Sequence, residues 1–148
     1  MRILAALLAL TAAASAETPG VESEARAKMN WVLNCQGCHL PNATGSANGA
    51  PSMANEVARF LSVEGGREYL TRVPGVANAG LADDQLAELL NWTLATFDKD
   101  HVPADFAPFT REELAAGRAR PLVSEAPVMR AALRKKFPAE ISSAGGGE

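Results

Sequence analysis

Cys35-Gln36-Gly37-Cys38-His39 gathers both cysteines of the 148-residue chain and one of its two histidines into five consecutive positions. Two thiols with two residues between them, on a helix end or tight turn, reach vinyl-derived carbons along one edge of a porphyrin, and the next side chain swings beneath the ring. A neutral imidazole there offers a nitrogen lone pair to iron at physiological pH. The spacing points to one covalent haem c, with Cys35 and Cys38 as thioether anchors and His39 as an axial iron ligand. Two other chemistries use paired cysteines. A thioredoxin-like redox pair calls for a preceding strand in a βαβ setting, and a zinc site calls for further Cys or His at ligand spacing. The remaining histidine, His101, lies far along the chain.

The elements that must position these residues read as helices. A helix predicted over Val21–Leu33 leads straight into the cysteines, with Glu22 and Glu24 near its start, where the helix dipole favours anions. Leu40 to Pro51 is rich in Asn, Gly, Ser and Pro and reads as a loop. Short helices are expected over Asn55–Val63 and Arg67–Val73, separated by Gly65-Gly66. The clearest helix is Asp83–Phe97, where Leu86, Leu89, Leu90, Thr93, Leu94 and Phe97 share one broad face and Trp92 stands on its flank. No window alternates apolar and polar residues with β-branched enrichment, so the fold class is mainly α.

The N-terminus bears on where the chain works. Arg2, the apolar run Ile3 to Leu10 and Ala14-Ser15-Ala16 read as a secretory signal peptide over residues 1–16, too short for a membrane span. Cleavage before Glu17 would export the protein to an oxidising compartment, expected to be the periplasm, with no integral membrane segment left in the mature chain. Without Arg2 the chain carries 13 basic and 17 acidic residues, which excludes a generally basic nucleic-acid binder. Eight Phe, Tyr and Trp residues make a modest core supply, and a buried porphyrin would fill part of the deficit.

From Val21 to Phe97 the chain resembles the class I type cytochromes c. Those proteins begin with a helix carrying a small residue eight positions before the first haem cysteine and an aromatic four before it. Here those positions hold Ala27 and Trp31. Trp92 is similar to the aromatic of the family's closing helix, which the first helix crosses, and Ala50-Pro51-Ser52-Met53 is similar to its Gly-Pro-x-Leu segment. The resemblance implies a cytochrome c-like helical fold around one haem. It also implies that the Pro51 carbonyl accepts the second N–H of His39 and strengthens it as a ligand. The alternative is that Pro51 simply ends a loop.

The resemblance breaks on the other face of the iron. The family's methionine ligand comes from a loop just before the last helix, and here Val73 to Gly80 contains no methionine. Met53, Met129 and His101 are candidate sixth ligands, with Met53 ranked first and pocket lining as its alternative role. An open or water-occupied position stands beside them. Met29, on the helix before the cysteines, reads as a packing residue.

The domain reading is a signal peptide at 1–16, a haem domain at 17–100, a C-terminal extension with short helices at 101–141 and a disordered tail at 142–148. Thr110 to Glu113 is a capping box with Gly117 as a stop, and Ser124 is a cap for a helix ending near Phe137. Arg130, Arg134, Lys135 and Lys136 read as a solvated helix end or a docking patch. Residues 17–100 hold 6 basic and 11 acidic residues and the remainder 7 and 6, so the extension is expected to lie across an acidic body. Arg67 and Arg72 are open to haem propionates or surface ion pairs.

The function expected from these residues is a periplasmic one-electron carrier, not an enzyme, working between a donor dehydrogenase and an acceptor oxidase or reductase. The alternatives are a haem protein that binds or transforms NO, CO, O2 or peroxide at an open axial site, and a cytochrome subunit of a periplasmic dehydrogenase.

Overall fold

The computed structural model describes residues 17–47 and 49–139. The predicted signal peptide, the predicted tail at 142–148 and the last two residues of the predicted extension lie outside the described residues. Among those described, the secondary structure is helical with no strand, and no helix is long and apolar enough to cross a membrane.

Helix α1 spans Glu24–Asn34, three residues later than the sequence predicts. The Ser23 hydroxyl accepts the Arg26 N–H at 3.3 Å, which sets the start. The amides of Glu22 and Ser23 instead donate to the buried Glu88 carboxylate at 3.0 and 2.8 Å, and Arg26 closes on the same group through Nε at 2.7 Å. Taking a carboxylate out of water is costly unless it is fully bonded, and here four N–H groups bond it. The helix breaks at Cys35 and the chain resumes as the single turn α2, Gln36–His39, so the motif sits at a helix end.

The predicted Asn55–Val63 helix is a 3-10 helix over Val57–Ser62. Asn55 is left-handed (φ 55°) and Glu56 is non-helical, which delays the start. The Ala58 N–H is taken by the Asp98 carboxylate at 2.7 Å. Helices α3 (Gly66–Arg72) and α4 (Pro74–Ala77) follow, and α4 falls in the stretch read as a methionine-free loop.

Helix α5 spans Asp83–Phe97 as predicted, but the single apolar face understates its burial. Every residue from Leu86 to Leu94 is buried, Glu88, Asn91 and Thr93 included. A helix covered all round must have partners on opposite sides. Helix α1 crosses it at Ala27 and Trp31, with the Trp31 ring centroid 6.2 Å from Trp92 and 4.6 Å from Phe97. The other partner is α6 (Arg111–Arg118).

Thr110 caps α6 in a capping box with Glu113, as the sequence predicts. Gly117 does not stop the helix, which runs to Arg118. Its role is close packing, because a Cβ there would lie 2.2 Å from Thr71 Oγ1 on α3. Helix α7 spans Ala126–Arg134, with Glu125 rather than Ser124 at its N-cap position and no side-chain capping bond, and it ends before Phe137. Phe109, Leu114, Leu122 and Leu133 join the same core as Trp31, Phe60 and Leu90. Asn91 ties the two parts together, its side chain accepting the Phe109 N–H at 2.8 Å and donating to the Gly20 and Phe109 carbonyls.

Candidate haem-attachment site

The site is built on one turn and one loop. The Cys38 and His39 amides both donate to the Cys35 carbonyl, at 3.1 and 3.0 Å, and this winds the three side chains onto the short helix α2. Both cysteines are free thiols, Cys35 partly buried and Cys38 exposed. Burial, with the neighbouring Cys38 thiol adding to it, pushes the Cys35 pKa up to about 11. Redox-active cysteine pairs have a depressed thiol pKa, so this thiol is poorly suited to disulfide exchange.

His39 Nδ1 lies 3.0 Å from the Pro51 carbonyl oxygen. A carbonyl only accepts, so the proton of a neutral imidazole is on Nδ1 and the lone pair is on Nε2, at the other side of the ring. Burial lowers the His39 pKa below its ordinary value; the Pro51 carbonyl opposes that shift, and the Arg130 guanidinium adds to it. The imidazole is neutral at physiological pH, with one nitrogen available for a metal. Two free thiols, an oriented imidazole and the flanking Trp31 ring, 6.1 Å from His39, fit a covalently attached haem.

The loop holding Pro51 is fixed by its own backbone. Gly45 donates to the His39 carbonyl at 2.9 Å, and Met53 and Ala54 donate to the Ala43 carbonyl at 2.8 and 3.2 Å. Gly45 has φ 65°, and a Cβ there would lie 2.3 Å from the Ala50 carbonyl oxygen, so the position requires glycine. Met53 is partly buried and packs against the core on this loop.

The other candidate ligands lie elsewhere. His101 is in a 3-10 turn after α5, its Nδ1 2.5 Å from the Asp98 carboxylate whose second oxygen takes the Ala58 amide. Met129 is partly buried on α7; Met29, read from the sequence as a packing residue, is instead 57% exposed on α1. Neither Arg67 nor Arg72 is left for a cofactor. Arg67 pairs with Glu113 at 2.6 Å and donates to the Ala107 and Pro108 carbonyls, while Arg72 pairs with Glu68 and donates to the Arg120 carbonyl.

Two arginines of the C-terminal part hold the site's surroundings in a way the sequence did not suggest. Arg118 donates to the Ala77, Ala79 and Leu81 carbonyls at 3.2, 2.8 and 2.8 Å and to the Asp83 carboxylate at 2.7 Å. It thus ties down the whole link between α4 and α5. Arg130 donates to the Ser52 carbonyl at 2.8 Å and pairs with Glu56 at 2.5 Å; Arg134 reaches the same Glu56 oxygen at 2.9 Å. The cluster at the end of α7 therefore places two arginines on an acid rather than leaving both in solvent. No local pattern encodes these pairs, since the partners are 35 to 78 residues apart.

No protein-family model matches the chain, and no solved structure matches it. Two curated relatives do, both from Thermus thermophilus. One cytochrome c-552 of that organism is 33% identical over 142 residues, covering 84% of this chain and 90% of the relative. A second cytochrome c-552 is 34% identical over 109 residues, covering 62% of this chain and 83% of the relative.

Proposed function

Because the chain belongs to the class I monohaem c-type cytochromes, electron-transfer proteins with covalent haem c, we propose that it is a periplasmic one-electron carrier with Cys35 and Cys38 as haem anchors and His39 as the iron ligand. The observation that carries this assignment is the 3.0 Å contact from His39 Nδ1 to the Pro51 carbonyl. It fixes the tautomer that leaves Nε2 for iron and makes that nitrogen more basic. Bound haem supplies the iron that cycles between two oxidation states. The chain's part is to hold the imidazole, exclude water with Trp31 and the core beneath it, and leave Cys38 at the surface where a partner can approach. The donor dehydrogenase and the acceptor oxidase or reductase are partners in this reading, reached after cleavage of residues 1–16, with residues 17–100 as the haem domain and 101–141 as its extension.

Met53 is assigned to the wall on His39's own side. It sits two residues beyond Pro51, which takes the nitrogen facing away from iron, and its amide is held by the Ala43 carbonyl. Ligation by Met53 is the alternative, and Met53→Ala decides it: loss of a sulfur-to-iron charge-transfer band would restore Met53 as the sixth ligand.

A second reading, that a small molecule binds at an open iron position, is favoured by one feature. The link between α4 and α5 has no methionine and is fastened, together with the flanking Ala77 and Asp83, to Arg118 by four hydrogen bonds. Absorption spectra of the oxidised and reduced holoprotein, with and without carbon monoxide, test both readings. A low-spin spectrum unmoved by carbon monoxide means a simple carrier; a high-spin ferrous form that binds it readily means an open site. Loss of covalent pigment only in the Cys35 and Cys38 variants, with altered iron ligation in His39→Ala, is the expected pattern for the anchors. A His39→Ala spectrum identical to wild type would remove His39 as the ligand.

A further inference from the structure

We propose that Arg130, carried in by α7, is a positioning residue for the iron site: it locks the segment behind His39 and supplies positive charge that holds the haem's reduction potential up. The proposal rests on His39 being the iron ligand.

The geometry is that of a built contact. The Arg130 side chain is 16% exposed and packs its guanidinium 5.3 Å from the Phe60 ring centroid. Tyr69 in turn stacks on Phe60 at 5.0 Å. From this seat Arg130 donates to the carbonyl of Ser52, the residue between the Pro51 carbonyl that takes the His39 proton and Met53 on the pocket wall. A charge-assisted bond to that carbonyl restricts how far Pro51 can move away from the imidazole. A loosened Pro51 contact would weaken the basicity it confers on the ligand and by itself raise the potential, a smaller effect opposed to that of the lost charge.

The charge count adds a second effect. Arg130 and Arg134 converge on one oxygen of a single acid, Glu56, at 2.5 and 2.9 Å, so the group of three carries one net positive charge. Ser52, which Arg130 holds, adjoins Pro51, so the charge sits one residue from the carbonyl that takes the His39 proton. Oxidation adds one positive charge at the iron. A fixed cation in a partly buried setting therefore penalises the oxidised form and favours the reduced one. Salt screens such an effect little when the cation is largely covered.

The test is a spectroelectrochemical titration of the holoprotein and its variants Arg130→Met, Arg130→Lys, Arg134→Met and Glu56→Gln. Arg130→Met is expected to shift the midpoint negative, with roughly a threefold to tenfold loss in the reduced-to-oxidised ratio at fixed potential, tenfold being 59 mV for one electron. Glu56→Gln, which uncovers a charge, is expected to shift it positive. Arg134→Met should shift it negative by less, and Arg130→Lys should stay near wild type. Should Arg130→Met fail to fold, the opposite signs of Glu56→Gln and Arg134→Met carry the test. Unchanged midpoints in the folded variants overturn the proposal, as does an Arg130→Lys shift equal to that of Arg130→Met. Visible spectra of each variant separate this from failure of the underlying reading, since a loss of His39 ligation changes the spectrum and a charge effect does not.

Discussion

The loop behind His39 and the link between α4 and α5 solve one problem, holding irregular backbone in place, in opposite ways. The described residues of 39–54 are held mostly from within: Gly45 bonds the His39 carbonyl, Met53 and Ala54 bond the Ala43 carbonyl, and Leu40, Ala43 and Gly45 take positive φ to allow it. The 78–82 link is held from outside, with Arg118 of α6 taking three of the carbonyls in and beside it. A largely local solution leaves the ligand loop with one remote fastening of its own, the Arg130 bond to the Ser52 carbonyl. A remote one makes the link's conformation a product of the C-terminal part, in the stretch where the resemblance to class I cytochromes calls for a methionine and none is present.

The comparison can be broken at its centre by removing the anchors of the haem that the His39 loop serves. The double variant Cys35→Ala, Cys38→Ala should lose all covalent pigment on a denaturing gel stained for haem, the largest change expected. The self-held loop is tested by Gly45→Ala, which forces a side chain into φ 65° against the Ala50 carbonyl. A cost of about 1–3 kcal/mol in urea unfolding is expected, with a changed visible spectrum because His39 and Pro51 move. Arg118→Ala tests the outside clamp. The freed carbonyls are partly hydrated, so about 1–2 kcal/mol is expected, with faster amide exchange confined to 77–83 and covalent attachment intact. If Arg118→Ala perturbed the spectrum as Gly45→Ala does, the two regions would not be independent.

The smallest effect is one of pH. Burial alone would raise the Glu88 carboxyl pKa, but Arg26 and the amides of Ser23 and Glu22 outweigh it and hold the carboxyl below the usual carboxylate range. The unfolded chain therefore binds the proton first, and this contribution to stability is present above the ordinary carboxylate pKa and lost as pH falls through the folded value. Glu88→Gln should show a shallower decline of melting temperature between about pH 5 and pH 3 than wild type. Since Glu88 fastens α1 to α5 and touches neither loop, its loss should leave the visible spectrum unchanged.

The same division between local and remote explains what the sequence discloses. Helix α5 and the capping box at Thr110 are legible because each depends on spacing within one element, and the placement of Ala27, Trp31 and Trp92 at the helix crossing is legible through the resemblance. The Pro51 contact is legible through the resemblance, which specifies a carbonyl a short loop away from the histidine. The start of α1 is misplaced because the apolar pattern begins at Val21, while the amides there are claimed by Glu88, 65 and 66 residues later. Gly117 reads as a helix stop because its neighbour Thr71, which makes a side chain intolerable, is invisible along the chain. Arg118 and Arg130 are ordinary surface cations until the fold supplies carbonyls and acids from other elements.

Arg130 reaches Ser52 from 78 positions further along the chain. A polypeptide made from its N-terminus therefore presents the two thiols and His39 long before the piece that fastens the loop behind them exists. Maturation has a built-in order, with the haem-binding turn available early and α7 arriving last as the latch. A product truncated ahead of residue 126 would display the complete attachment motif and lack that latch, together with Leu133 of the shared core.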